Sequence, residues 1–342
     1  KFPMEAKNRK EDRPAVIDPP RGSKPRGRMS LRRALSPPIE ELRMSPQTAP
    51  GRDELRMDPP RRAPDRVVNA FTIDLEDWPI AVIGPHCELT ARVAENTKRC
   101  LQILQWHGVK ATFFVLSKVA EQFPDLIRQV HEAGHEIASH GHAHELLHRI
   151  SPSRFEADVR RSVEILTAIT GERPIGYRAP AFSVTNKTRW AGPILAKLGF
   201  KYDSSIFPIR HPRYGIPDAP RRIHAWPDCD LIECPPATCR VLGTNLPMAG
   251  GGYFRLIPGP VVRAAIRRIN REKIPAVLYM HPYELDVGGV MEHRRQGVRI
   301  SNWRHFTQGL FRERIEERLH RLLEGFQFVT VRDLLETHTT GK

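Results

Sequence analysis

The chain has 342 residues, with 54 Lys or Arg against 39 Asp or Glu, a formal net charge of +15, and 31 prolines. This length suits one large α/β domain or two ordinary ones. No apolar run reaches the roughly 18 residues of a membrane-spanning helix, and no secretory signal is recognisable. The five cysteines do not make a disulfide scaffold. The charge is compatible with a nucleic-acid partner, an acidic substrate or an arginine-rich composition.

The first 66 residues differ from the rest in composition. They hold 12 of the 31 prolines, a single aromatic residue, and 17 Lys or Arg against 10 Asp or Glu. Such a segment has too little apolar surface to offset the entropy of ordering. Residues 1–66 are therefore predicted to be a disordered, basic, proline-rich arm. The alternative is an arm that binds nucleic acid, but its charges are mixed and no aromatic side chains are interleaved to stack on bases.

From Val67 onward, short apolar runs alternate with segments of helical periodicity. Strands are predicted at residues 67–74, 111–116, 135–139, 174–178, 201–204, 275–281 and 327–331. Helices are predicted at residues 89–107, 118–133, 153–170, 188–198, 261–270 and 312–325, the third with a capping box of Ser153 and Glu156. This order predicts an α/β fold of parallel β/α units, for which a barrel is one arrangement, while residues 205–257 break the alternation.

Polar side chains follow four of the predicted strands. They are Asp74, Glu76 and Asp77 after the first, His140 and His144 after the third, Arg178 after the fourth, and His281 after the strand at 275–281. In parallel β/α folds the C-terminal ends of strands carry the functional side chains. This set of carboxylates, imidazoles and one permanently charged arginine suits a mononuclear metal site with an acid and a base beside it.

Each of these residues also has a purely structural interpretation. A carboxylate after a strand is by default a helix cap or a solvated turn, Arg178 could form an ordinary ion pair with Asp74, and His281 could be a core histidine. His140 and His144 directly follow a strand, so their imidazoles can converge on one cation, whereas His142 between them should point elsewhere.

Several motifs occur in the order and spacing of the polysaccharide deacetylases, the NodB-homology proteins of carbohydrate esterase family 4. They are Asp74…Asp77, His140-x-x-x-His144, Arg178-x-Pro180-x-Phe182-Ser183 and Leu278-x-x-His281. More narrowly, the segments 202–208, 214–221, 250–255 and 281–284 resemble the branch associated with exosortase-A exopolysaccharide clusters. The resemblance covers about residues 67–337, and the occurrence of these motifs together in one order makes it specific.

The resemblance implies a distorted (β/α) barrel of the NodB type and a divalent metal ion, usually zinc, held by one aspartate and two histidines. Carried onto this chain, it assigns Asp77, His140 and His144 as metal ligands, with Glu76 as the alternative carboxylate. The family has two adjacent aspartates in the first motif, whereas this chain has Asp74-Leu-Glu-Asp77, which leaves the choice between Asp77 and Glu76 open.

The resemblance also implies catalytic and substrate-binding residues. Asp74 would be the base, Arg178 would hold it ionised, and His281 would be the acid. In this scheme a backbone N–H of residues 250–253 would donate to the oxyanion. Tyr253 and Phe254 are candidates for a sugar subsite, with core packing as the alternative for both. The substrate-binding candidate Asp203 lies in the region of the family's Asp-x-x-Asp-Trp segment, which is not recognisable here.

The expected function is removal of N-acetyl groups from a polysaccharide or lipid-linked oligosaccharide in exopolysaccharide biosynthesis, in the cytoplasm, with no nucleic-acid partner and no integral membrane segment. Residues 67–286 would form the catalytic domain, and residues 287–337 an extension that completes the barrel. The alternatives are a metal-dependent amidase acting on a small non-peptide C–N substrate and a non-catalytic carbohydrate-binding relative.

Overall fold

The structure, a computed structural model, describes residues 67–340, with side chains up to residue 337. The predicted arm, residues 1–66, lies outside the described residues. The strands are β1 Asn69–Leu75, β2 Thr112–Val115, β3 Glu136–Ser139, β4 Gly176–Tyr177, β5 Tyr202–Asp203, β6 His224–Ala225, β7 Ile232–Glu233, β8 Thr238–Val241, β9 Thr244–Pro247, β10 Val277–Met280 and β11 Phe328–Val329.

In sequence order, the described helices lie between these strands or after the last of them. They are α1 Arg92–Trp106, α2 Ser117–Gln122, α3 Pro124–Glu132, α4 Pro152–Thr170, α5 Ala191–Lys197, α6 Gly252–Leu256, α7 Gly259–Arg271, α8 Gly289–Arg295, α9 Asn302–Gly309, α10 Ile315–Gly325 and α11 Val331–Thr340. None of the described helices combines the length and the apolar character needed to cross a bilayer.

Within the described residues, nine strands form one sheet in the order β10-β1-β2-β3-β4-β5-β7-β6, and β11 pairs with the start of β1. The pairs are parallel except β6 with β7, and β8 and β9 form a separate antiparallel hairpin. The sheet curls into a half-barrel flanked by helices, which confirms the predicted distorted (β/α) barrel. Because the strands are parallel, their C-terminal ends meet at one rim.

The central strand β1 is buried along its whole length, and its side chains alternate between two faces. The odd-numbered residues from Phe71 to Leu75 pack in the largest apolar cluster. The even-numbered residues from Ala70 to Asp74 face the opposite side, where Ala70 packs in a different cluster and Thr72 bonds to Arg178. A strand that is apolar on one face therefore delivers a carboxylate on its other face at the rim.

The observed helices differ from the predicted ones at their ends. The predicted helix at 118–133 is two helices, because Pro124 lacks an N–H and begins a helix of its own. Helix α4 is capped by Ser151, whose Oγ accepts a hydrogen bond from the Arg154 N–H at 3.2 Å, so the predicted cap at Ser153 is wrong by two residues. Pro152 is the first residue of that helix, a position where proline is favoured.

Candidate active site

The polar residues that follow the strands line one small cavity at the rim, with a volume of about 150 Å³. Its walls are formed by Asp74, Glu76, Ala81, His140, His144, Ala181, Phe182, Tyr214, Tyr279, His281 and Tyr283. These side chains come from the ends of β1, β3 and β10 and from the loops after β4 and β5. The parallel sheet thus brings together residues that are up to about 200 positions apart in the sequence.

Glu76, His140 and His144 form a buried cluster in which one possible ligand atom from each lies within 4.8 Å of the others. The Oε2 atom of Glu76 is 2.7 Å from Nε2 of His144 and 3.6 Å from Nε2 of His140. One carboxylate and two imidazoles are a donor set used for divalent transition metals, zinc in particular. Among the described residues this is the group that could hold a metal ion.

The protonation of His140 is fixed by its second ring nitrogen. Nδ1 lies 2.8 Å from the backbone carbonyl oxygen of Arg178. A carbonyl only accepts, so Nδ1 carries a proton, and in the neutral imidazole Nε2 presents a lone pair towards Glu76. Glu76 Oε2 is itself buried and makes no contact with hydrogen-bond geometry. Lone pairs that converge without a proton between them fit a bound cation.

The charge of Glu76 agrees with this arrangement. Burial alone would raise the pKa of this carboxyl group, but the positive charge and hydrogen bonds of the adjacent imidazoles of His144 and His140, in their protonated form, outweigh burial and hold its pKa well below the usual range. A cation bound between neutral imidazoles would favour the carboxylate in the same way. The carboxylate is therefore ionised at neutral pH and available as a ligand.

The loop after β3 has a backbone that only a few residue types accept. Gly141 and His144 have φ values of 75° and 55°, in the left-handed region. The Asp158 carboxylate accepts hydrogen bonds from the N–H groups of His142 and Ala143 at 2.8 and 3.0 Å. A Cβ atom on residue 141 would lie 2.8 Å from Asp158 Oδ2, so the turn that brings both imidazoles together requires glycine there. His142 contacts Ser117 Oγ instead, at 3.0 Å.

Asp74 and Arg178 form a buried ion pair. The Arg178 Nη1 atom donates to Asp74 Oδ1 at 2.6 Å and to Thr72 Oγ1 at 2.7 Å. Its Nε and Nη2 donate to the carbonyl oxygen and the Oγ of Ser204 at 3.1 and 2.8 Å. The guanidinium group also lies 4.0 Å from the centroid of the Phe114 ring. Its position is thus set from several sides, and the carboxylate it holds faces the cavity.

His281 also lines the cavity. Its Nδ1 atom lies 2.7 Å from Glu284 Oε1, while Nε2 is 3.4 Å from Glu76 Oε1 and 3.9 Å from Asp74 Oδ2. The ring stacks on Tyr283 with centroids 4.6 Å apart. Burial lowers the pKa of His281, but the hydrogen bond and charge of Glu284, with the charges of Glu76 and Asp74, outweigh it and raise the pKa. The imidazole can therefore carry a proton near neutral pH.

Asp77, the first choice for the metal ligand, does not lie in this cluster. Its Oδ1 accepts from the Trp78 N–H at 2.9 Å and its Oδ2 from the Thr90 N–H at 2.6 Å. Burial raises the pKa of Asp77, and both of its oxygens are engaged by backbone N–H groups. The alternative carboxylate, Glu76, lies beside the imidazoles. Glu76 follows Asp74 by two residues, and side-chain alternation places both on the same face.

The three predicted substrate-binding residues do not line the cavity. Asp203 is fully buried and accepts hydrogen bonds from the Ser204 N–H and the Ser205 hydroxyl. Phe254 packs in the largest apolar cluster. The hydroxyl of Tyr253 is 3.1 Å from that of Tyr214, which does line the cavity.

The loop at 250–253, expected to donate an N–H to the oxyanion, uses the Tyr253 N–H for its own turn, at 3.2 Å from the Gly250 carbonyl oxygen. Among the described residues that line the cavity, none belongs to the segment 250–253.

Sequence reasoning assigned no role to three residues that orient the site. Glu284 holds His281, Ser204 holds Arg178, and Asp158 holds the loop between His140 and His144. Only Glu284 left a usable signal, since an acid three residues after a histidine lies one turn away in a helical segment. Ser204 and Asp158 act through tertiary contacts that no local spacing encodes.

Two family models match the chain. Residues 83–202 match the model described as polysaccharide deacetylase, and residues 204–336 match one described as a domain of unknown function (DUF3473). The structure resembles a candidate polysaccharide deacetylase from Mycobacterium smegmatis, with a TM-score of 0.52 and 24% identity over 80% of this chain and 90% of the other. At this level of identity the likeness is one of fold.

Curated relatives match a shorter stretch. A peptidoglycan deacetylase from Helicobacter pylori is 33% identical over 108 residues, 32% of this chain and 36% of the relative. A peptidoglycan-N-acetylglucosamine deacetylase from Bacillus cereus is 30% identical over 109 residues, 32% of this chain and 37% of the relative. The matches span little more than a third of either relative. Together, the family model and these relatives show that residues 83–202 are similar to polysaccharide deacetylases.

Proposed function

We propose that this chain is a metal-dependent hydrolase that removes N-acetyl groups from a polysaccharide. The observation that carries the proposal is the position of Asp74 and His281, which lie 3.9 Å apart in the same cavity as the Glu76, His140 and His144 cluster. The relatives named as peptidoglycan deacetylases support the same reaction class. The narrower likeness to the exosortase-associated branch remains a prediction.

Glu76, His140 and His144 would hold the metal ion, and their donor set favours zinc. When bound, such an ion supplies Lewis-acid chemistry at this point of the cavity. The tautomer of His140 is already the one that ligation requires, because its Nδ1 donates to the Arg178 carbonyl oxygen.

Asp74 would act as the general base. One of its oxygens, Oδ1, is occupied by Arg178, and the other, Oδ2, is 3.9 Å from His281 Nε2. Oδ2 would accept the proton of the water that attacks the acetyl carbonyl carbon. Arg178 keeps the carboxylate oriented through its hydrogen bond to Oδ1.

His281 would act as the general acid. Glu284 occupies its Nδ1, so Nε2 is the atom that would donate a proton to the amine nitrogen as the C–N bond breaks. The products are acetate and a free amine, and no covalent bond to the protein forms. The raised pKa of His281 keeps this proton available at neutral pH.

The cavity of about 150 Å³ suits an acetamido group rather than a whole sugar ring, so the polymer would lie across the rim. We propose an exopolysaccharide or its lipid-linked precursor as the substrate, in a cytoplasmic setting.

We also propose that residues 67–286 form the catalytic domain and residues 287–337 an extension completing the barrel. Pairing of β11 with β1 and the Arg312 donor bond to the Tyr283 carbonyl support this division.

The test is acetate release by the purified full chain from N-acetylglucosamine oligomers and from the producer's own polysaccharide, before and after chelation and zinc addition. We expect release to require the metal and His140→Ala to abolish both metal content and release. His131→Ala, which changes a histidine on α3 outside the cavity, is the matched control. Full metal content and activity in His140→Ala would refute the proposal.

The same assay separates the alternatives. Hydrolysis of small cyclic amides without release from any acetylated oligosaccharide would identify an amidase. Binding of oligosaccharides by metal-loaded protein without any release of acetate would identify a carbohydrate-binding relative.

A further inference from the structure

Helix α9 presents two large apolar side chains to solvent. Trp303 is 75% exposed and Phe306 is 57% exposed, and their ring centroids are 6.3 Å apart. No residue of α9 is buried. Residues three apart share one face of a helix, so the two rings form a single protruding patch. The Ser301 hydroxyl caps the helix by accepting from the Arg304 N–H at 3.2 Å.

The neighbouring helix α8 contributes further apolar exposure. Val287, just before it, is 64% exposed and Met291 is 42% exposed. Helices α8 and α9 contact each other. We call Val287, Met291, Trp303 and Phe306, together with the arginines of residues 287–304, the α8–α9 surface. Isolated exposed apolar residues are ordinary, but four within 20 residues, on or directly next to two contacting helices, are not.

The same segment is strongly basic. Residues 287–304 contain four arginines and one acid, Glu292. Glu292 is paired with Arg295, at 3.6 Å. Among the described residues, no ion pair is found for Arg294, Arg299 or Arg304, and all three are exposed. Positive charge without local compensation thus surrounds the apolar side chains.

We propose that the α8–α9 surface docks this protein on an anionic lipid bilayer. Tryptophan, phenylalanine and aliphatic side chains flanked by arginine are the composition of peripheral segments that lie at the headgroup level, and the arginines complement the negative lipid surface. A sugar-binding platform needs coplanar rings, whereas these two rings are tilted by 36° relative to each other.

The docking surface is built on a wall of the catalytic cavity. Trp78, Tyr283, Val290 and Ile300 form one apolar cluster, and Tyr283 lines the cavity. His293 of α8 stacks on Trp78 with centroids 5.3 Å apart. A bilayer bound at α8–α9 would therefore lie beside the rim, where a lipid-linked sugar could enter. This last step rests on the proposed function, while the docking itself does not.

The test is cosedimentation of the full chain with vesicles of phosphatidylcholine containing phosphatidylglycerol, and with phosphatidylcholine alone. We expect binding to the anionic vesicles, reduced at least about tenfold by Trp303→Ala/Phe306→Ala and about fivefold for each arginine removed in Arg294→Gln/Arg299→Gln. Residues 1–66 are also basic, but they are common to all variants, so differences between variants report the α8–α9 surface alone.

Matched controls are available elsewhere in the chain. Trp106 is 81% exposed and Arg268 is exposed on α7, so Trp106→Ala and Arg268→Gln should leave vesicle binding unchanged. Circular dichroism of each variant checks that the fold persists.

Equal binding by the wild type and the Trp303→Ala/Phe306→Ala variant would overturn the proposal. So would loss of a self-associated form, or of oligosaccharide binding, in that variant with vesicle binding intact. None of these assays depends on turnover, so a failure of docking is distinguishable from a failure of the proposed deacetylation.

Discussion

Arg178 connects the proposed base to a proposed metal ligand. Its side chain donates to Asp74 Oδ1 at 2.6 Å, and its backbone carbonyl oxygen lies 2.8 Å from His140 Nδ1. The orientation of both groups therefore depends on where the loop after β4 holds this one residue. The side-chain bond can be removed by substitution, while the backbone bond remains.

We expect Arg178→Met to separate these two roles. Without the guanidinium the buried Asp74 loses its counter-charge, which should destabilise the fold by about 3–5 kcal/mol. It should also reduce kcat by about 100-fold or more, because the base is no longer held. The metal content should stay close to that of the wild type, since the carbonyl of residue 178 still orients His140. Urea unfolding, metal analysis and acetate release measure the three effects.

Arg160→Met is the control for this substitution. Arg160 pairs with Glu156 on the outside of α4, where its side chain is 56% exposed, and exposed pairs contribute about 0–1 kcal/mol. Equal loss of stability in both variants would contradict the account of a buried, uncompensated carboxylate.

Glu76 and Asp77 are adjacent, yet we expect opposite effects on metal binding. Glu76→Gln keeps the shape of the side chain but weakens the ligand, and should lower the metal affinity by about 100-fold or more. Asp77→Asn should bind metal nearly as well as the wild type, because Asp77 contacts backbone N–H groups. Competition with a chromophoric chelator measures both affinities. The reverse result would restore Asp77 as the ligand.

Glu76 and Asp77 show how much of the candidate site could be predicted from the sequence. Alternation along β1 predicts that Asp74 and Glu76 share a face and that Asp77 does not, yet the family pattern of two aspartates pointed to Asp77. The strand ends were predictable because parallel strands meet at one rim. The contacts of Ser204 and Asp158 were not, because they depend on how distant segments pack. Asp203 was misjudged for the same reason, since only the packed sheet reveals that it is buried.

Asp203 and Glu233 should make the stability depend on pH. They are opposite each other on the parallel strands β5 and β7, and both are fully buried. Burial raises the pKa of Asp203 to about 7 and, together with the charge of Asp203, raises that of Glu233 well above its usual value. The folded state thus binds protons that the unfolded chain releases at lower pH.

The sign follows from this difference. Between about pH 4, where the unfolded aspartate titrates, and about pH 7, where the folded one does, stability should fall as pH rises, by up to about 1.4 kcal/mol per pH unit for one proton. Asp203→Asn should flatten this slope while keeping an acceptor for Ser204 and Ser205. Asp125→Asn, on an exposed side chain, should not. Urea denaturation at a series of pH values measures the slope, and an unchanged slope in Asp203→Asn would exclude this carboxyl group as its source.

Gly141→Ala should impair the loop that joins the two imidazoles. The new Cβ would lie 2.8 Å from Asp158 Oδ2 in a residue with a φ of 75°, so either the loop or Asp158 must shift.

Gly171→Ala is the control that isolates the cost of the backbone conformation, since Gly171 has a φ of 74° and no atom within 4 Å of its added Cβ. That control should lose about 1 kcal/mol of stability and no metal affinity. Gly141→Ala should lose more stability than the control and bind zinc at least about tenfold more weakly, because displacement of His140 or His144 spoils the ligand geometry. Equal behaviour of the two variants would mean that the close approach of Asp158 does not constrain the site.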